Sequence, residues 1–228
     1  MARCRILLIG TLLGGSLAVL QAAPIPLEGT KNTRDLGGMP VTGGRLRSGC
    51  LFRSGALCFI SGTDQDRLGQ LQLRSVIDLR TPEEIAKDGA DRLAGPSYHW
   101  PMRSYHGLGA ESYRSMLLQN PLVLRKFFAH LAQRESYPVL FHCSAGKDRA
   151  GIMAALLLDS LGCPREAIMD DYLQSQRNSP TLRVEREWLQ EVFDLVDLAG
   201  GSRAFLTIQG VPAGQLEAIG NYLIETEP

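Results

Sequence analysis

Residues 137–151 read Tyr-Pro-Val-Leu-Phe-His-Cys-Ser-Ala-Gly-Lys-Asp-Arg-Ala-Gly. The opening run, Tyr137–Phe141, is continuous, apolar and β-rich, the pattern of a strand buried on both faces. Downstream, Ile152–Leu161 is apolar almost all round, which marks a central helix that Gly162 can stop. A strand passing into a helix through a glycine-bearing loop is where backbone amides converge on an anion. Cys143 and Arg149 bracket five residues there. A loop of that length can curl so that Ser144, Ala145, Gly146, Lys147 and Asp148 present successive N–H groups to three oxygens of a phosphate, with the Arg149 fork completing the ring. The Cys143 thiol then sits beneath the phosphorus, and the same amides and helix dipole favour its thiolate.

Working outward, the same alternation recurs. Ser75–Leu79 is a short β-rich run, and Thr81-Pro82-Glu83-Glu84 behind it supplies an N-cap, a proline at the first helical position and a capping-box glutamate. Asp64–Leu73 reads as a helix. Asn120 and Pro121 open another, with Leu124, Phe127, Phe128 and Leu131 on one face. Pro164 begins the next; Leu189, Val192 and Val196 mark one more, and Leu216, Ile219 and Leu223 a last. Met39–Thr42 and Arg45–Arg47 flank Gly43-Gly44 as a small hairpin. Strands alternating with helices predict an α/β domain whose central, mostly parallel sheet is flanked by helices.

Composition agrees. The 228 residues carry 24 basic and 24 acidic side chains, 44% hydrophobic and 21% charged residues, as a folded globular chain does. With no basic block there is no footprint for nucleic acid. Arg3 and Arg5, the uncharged run Ile6–Leu20 and the small residues Ala22 and Ala23 have the order of a secretory signal peptide, and the run is short of the ~20 residues a spanning helix needs. The expected division is a signal peptide over 1–22 and one domain over 23–228, periplasmic or secreted, with no membrane span after processing. Removal takes two arginines and no acid, leaving a net charge of −2. Cys50, Cys58, Cys143 and Cys163 then face an oxidising compartment; Cys50 and Cys58 could pair, while Cys143 is needed as a free thiol.

The loop fits covalent phosphoryl transfer. Cys143 attacks, a phosphocysteine forms, water hydrolyses it, and Arg149 stabilises charge on the equatorial oxygens. HCSAGKDRAG, residues 142–151, resembles the signature of the cysteine-dependent protein tyrosine phosphatases. Lys147-Asp148, with Asn32-Thr33-Arg34-Asp35-Leu36-Gly37-Gly38, Arg53-Ser54-Gly55 and Asp78-Leu79-Arg80, resembles their atypical bacterial branch. That resemblance implies a phosphatase-like α/β fold and a phosphotyrosine protein as substrate. Broader specificity, with phosphoinositides or inositol phosphates as alternatives, is also implied.

Tyrosine phosphatases commonly protonate the leaving oxygen from an aspartate upstream of the loop, yet no aspartate lies between Asp91 and Asp148. Two candidates remain. Asp78 ends a strand expected to be parallel to the one before Cys143, so both reach the same rim; Asp148 lies in the loop itself. His142 reads as a partner orienting the loop, and Arg34 with Asp35 as an internal pair bracing it. His99, His106 and His130 lack metal-ligand spacing, and the chemistry calls for no metal or other cofactor. The family position after the arginine is usually Ser or Thr; here it is Ala150, which predicts slow breakdown of the intermediate. Two other readings exist: a rhodanese-like sulfur transferase, disfavoured by the five-residue spacing to Arg149, and a phosphate-binding module without catalysis. Nothing in the sequence sets the oligomeric state.

Overall fold

The computed structural model describes residues 23–103, 107 and 109–226; the expected signal peptide and His106 lie outside them. The chain opens with β1 (Ala23–Pro24), β2 (Arg34–Asp35), β3 (Pro40–Val41), β4 (Gly44–Leu46) and β5 (Leu51–Ser54). Helix α1 (Gly62–Gly69), β6 (Ser75–Asp78), α2 (Pro82–Asp88) and β7 (Ser97–His99) follow. Then come α3 (Ala110–Leu118), α4 (Pro121–Leu131), β8 (Val139–His142) and α5 (Arg149–Ser160). The last elements are α6 (Arg165–Asn178), α7 (Arg186–Leu198), α8 (Ser202–Ile208), α9 (Ala213–Leu223) and β9 (Ile224–Glu225).

The main sheet has the order β1-β2-β5-β8-β6-β7. Its centre is parallel (β5 with β8, β8 with β6, β6 with β7), while β1–β2 and β2–β5 are antiparallel. The expected hairpin forms as β3–β4, and β9 adds to it as a third strand. Strand β8 starts two residues later than the apolar run suggests. Pro138 has no N–H to give a ladder, so pairing begins at Val139, whose N–H reaches the Cys50 carbonyl at 2.9 Å.

Period-two alternation divides the core between the two faces. Phe52, Val76 and Leu140 pack with Leu57, Ile60 and Leu68 on the α1 side. Leu51, Ile77, Val139 and Phe141 join the larger core on the other, where all of Ile152–Leu158 is buried. Helix α2 begins as its sequence dictates. The Thr81 side chain accepts from Glu84 N, the Glu84 carboxylate accepts from Thr81 N, and Pro82 sits in the first turn.

Register sets the position of the site. Ser54 and Asp78 both pair with His142, so β5, β6 and β8 end on one rim and the 143–148 loop begins there. At the far end Gly162 stops α5 at a φ of +76°, where an added Cβ would overlap the Thr42 hydroxyl. The substitution Gly162→Ala is expected to destabilise the fold by about 2 kcal/mol. The check is a lower urea midpoint at unchanged slope; an unaltered midpoint would refute this packing role.

Candidate active site

Strand β8 delivers His142 and Cys143 to the rim, and the chain then turns sharply. Gly146 has a φ of +70°, and a Cβ on it would come within 2.6 Å of the Ser54 carbonyl. Only glycine fits there. The next four carbonyls are anchored outward. Ser144 O accepts from Ala56 N at 3.1 Å, Ala145 O from Asn32 Nδ2 at 3.5 Å, and Gly146 O from Arg53 Nη2 at 2.8 Å. Lys147 O receives a longer bond from the same nitrogen, 3.4 Å. A trans peptide unit places its N–H opposite its C=O, so the amides of residues 145–148 face the inside of the curl. Cys143, buried at the start of the curl, lies within electrostatic reach of Arg53 and Arg149.

Arg149 stands in the first turn of α5. Its Nη1 and Nη2 donate to the two carboxylate oxygens of Glu84 at 2.5 and 2.6 Å, and Nη1 also reaches Leu79 O at 3.3 Å. The Ser144 hydroxyl donates to the same Glu84 carboxylate at 2.5 Å. One residue thus serves as both the capping-box acid of α2 and the clamp on the loop arginine. Burial alone would raise its carboxyl, but bonds from Arg149 and Ser144 outweigh that and hold it at about 2.

The two general-acid candidates occupy different settings. Asp78 is buried, and its oxygens accept from Arg80 Nε, Nη2 and backbone N. Arg80 also donates to Asp91 at 2.9 Å, and Asp91 meets His142 Nε2 at 2.7 Å, so His142 supports the loop from behind. Asp78, Asp91 and His142 are close enough to suggest a cation cage, yet the Arg80 guanidinium already supplies the positive charge among them. Asp148 precedes α5, and its side chain makes no cap bond. Oδ1 accepts from Tyr113 Oη at 2.5 Å and Lys147 Nζ at 2.7 Å, and about a fifth of the side chain stays exposed. Tyr172 Oη stands 2.7 Å behind Tyr113 Oη.

Two expectations need correction. Arg34 and Asp35 are not an internal pair. As neighbours on β2 they point to opposite faces, so Arg34 binds Asp171 at 2.6 Å, while Asp35 accepts from Gly37 N and Gly49 N. Cys50 and Cys58 do not pair either; Cys50, Cys58, Cys143 and Cys163 are all free thiols. Cys50 precedes β5 and lies near Arg47 and Tyr222, whereas Cys58 follows it and lies near Arg80 and Asp91. Sequence reasoning missed Glu84, Asp91, Tyr113 and Asp171 as parts of the site. For Glu84 the capping box was a signal; for the other three there was none.

Glu84 generates a pH prediction. Its folded carboxyl titrates below its ordinary value, so it contributes stability above pH ~4.5, lost as pH falls toward about 2. Glu84→Gln lacks that titration. Its urea midpoint is expected to fall less steeply than that of the native protein between those pH values, and parallel curves would contradict the clamp.

The family model of the tyrosine phosphatases matches residues 25–225. The Cupriavidus necator protein H16_A0669 is 34% identical over 170 residues, 65% of this chain and 62% of that one. The triple specificity protein phosphatase PtpB of Mycobacterium tuberculosis is 30% identical over 210 residues, covering 74% of this chain and 75% of its own. Among solved structures, Siw14 of S. cerevisiae superposes with a TM-score of 0.44 at 17% identity, over 78% of this chain and 94% of that one. With the loop described above and a match from residue 25 to residue 225, the chain belongs to the tyrosine phosphatase family.

Proposed function

We propose that this protein is a phosphomonoester hydrolase acting on phosphotyrosine through a cysteinyl-phosphate intermediate. The observation that carries the reading is the loop whose carbonyls are tied outward around Cys143 with Arg149 at its edge. In the first step Cys143 Sγ bonds to phosphorus, the ester P–O bond breaks, and the leaving oxygen takes a proton from Asp148. Water then attacks phosphorus, returning its proton to Asp148; the P–S bond breaks, and phosphate and thiolate are released. Asp148 is favoured over Asp78 by access. It is partly exposed beside the curl, whereas both oxygens of Asp78 are committed to Arg80 in the interior.

Lys147 bears on the substrate class. It is buried, its ammonium bonds Asp148, and it lies 5.3 Å from the centre of the Trp188 ring. A cation so engaged is committed to Asp148 and the Trp188 ring and not free for a second phosphate, which supports phosphotyrosine ahead of multiply phosphorylated head groups. Broad specificity is supported by the name of the mycobacterial relative. Among the described residues no helix is long and apolar enough to cross a membrane. Export to the periplasm or medium is proposed from Arg3, Arg5 and the run Ile6–Leu20.

Hydrolysis of p-nitrophenyl phosphate is expected to vanish in Cys143→Ser; persisting turnover would refute the nucleophile and favour a binding module or another chemistry. Across aryl phosphates, Asp148→Asn is expected to lose about 100-fold on the poorest leaving group and far less on the best. Equal loss across the series would remove Asp148 as the acid. Ala150 is buried in the first turn of α5 and has no hydroxyl. Turnover should show a burst limited by phosphoenzyme breakdown, which Ala150→Ser accelerates; no acceleration would contradict that assignment.

A further inference from the structure

Arg34 and Arg53 face each other across the β2–β5 ladder, a placement that repels two like charges. Both are essentially fully buried, and both bind one acid, Asp171 of α6, at 2.6 Å each. Arg34 spends its remaining donors on Asn32 and the Asp171 carbonyl. Arg53 Nη2 instead turns to the Gly146 and Lys147 carbonyls. Gly151 leaves room for it, since a Cβ there would stand 3.1 Å from Arg53 Nη2. Two buried cations on one buried anion leave one positive charge in excess, directly beneath the loop.

The other groups around the loop do not offer such a charge. Arg149 is neutralised by Glu84, and Lys147 is paired with Asp148 whenever that acid is ionised, so the charge Lys147 offers switches with the Asp148 proton and is not permanent. On the far flank Arg80 lies between Asp78 and Asp91; with His142 protonated that group is neutral, and with His142 neutral it is −1. Tyr113 and Tyr172 stay uncharged, because burial pushes both phenols up. Lys31 is exposed and screened by water.

We infer that Arg53, held with Arg34 on Asp171, is a positioning residue that supplies the permanent counter-charge for the Cys143 thiolate and the incoming phosphate. The inference deepens the phosphatase reading, and rests on it for the role of the thiolate. Arg53 does not touch the reacting atoms; it acts through the loop and its field. Burial and the adjacent Arg34 charge lower Arg53 to about 10, while Asp171 and Cys143 pull it back up, as expected of a cation short of anions.

The test reads the sulfur itself and needs no turnover, so its outcome is separable from the fate of the phosphatase assignment. The rate of iodoacetamide alkylation at Cys143, followed by peptide mass, is compared at about pH 6 and about pH 9.5, because only the thiolate reacts and a lost counter-charge shows most at the lower pH. In Arg53→Gln the rate at the lower pH is expected to fall about tenfold and to converge with the native rate at the higher, while Arg53→Lys stays within about twofold at both. Native rates in Arg53→Gln, an equal loss at both pH values, or a lysine variant as impaired as the glutamine one would overturn it. A second measurement uses the native protein alone, should the glutamine variant fail to fold. Buried charge is little screened, so the low-pH rate should change less than about twofold between ~20 mM and ~500 mM salt. A steep fall with salt would assign the effect to exposed cations and overturn the inference.

Discussion

The outward anchoring of four successive carbonyls, Ser144 to Lys147, is the interaction on which the rest of the site depends. Left to itself a short loop scatters its peptide dipoles, and a sulfur surrounded by carbonyl oxygens repels an anion. Here Ala56 N, the Asn32 amide and the Arg53 guanidinium each take carbonyls from outside the curl, and the N–H groups turn inward as a consequence of peptide geometry. The donors come from β5 and from the segments just before β2 and just after β5, distant in sequence from the loop but beside β8 in the sheet. Loop conformation is therefore a property of the folded domain, not of the ten-residue signature.

The same strands supply the electrostatics. On one flank, β2 and β5 bring Arg34 and Arg53 to Asp171; on the other, β6 brings Asp78 and Arg80 to Asp91 and His142. Burying so many charges is costly, and removing one partner of such a group costs more than the group contributes when intact. That cost is tolerated because these groups also hold the loop. Arg53 binds its carbonyls and His142 precedes its nucleophile, so stability and chemistry draw on the same contacts.

Much of this was legible as local pattern. The apolar run before Cys143, the glycine after it and the apolar helix beyond define a strand, loop and helix without reference to the rest of the chain. Thr81-Pro82-Glu83-Glu84 likewise announces the start of α2. What escaped depends on long-range contact. Asp171 is an unremarked acid on a helix until the sheet places two arginines against it, and Glu84 looks finished once it has capped its helix. The Arg34–Asp35 pairing failed for a reason the strand period contains, but β2 is two residues long and was not recognised as a strand. Asp78 and Asp148 both stand as candidates in the sequence, and the feature that distinguishes their settings, exposure, is a tertiary quantity. Helices α3 and α8 were not anticipated. The apolar positions of α3 are interrupted by polar ones, and Ser112, polar in sequence, is buried with Tyr113, Met116 and Leu117.

The central claim is that phosphorus is transferred to one sulfur inside this curl. Rapid acid quenching during turnover of an aryl phosphate, followed by peptide mass analysis, tests it most directly. One phosphoryl group on the peptide containing Cys143, absent when substrate is omitted, is the result this account predicts. Undiminished turnover with the label on another side chain, or with no label on the protein at any quench time, would contradict it.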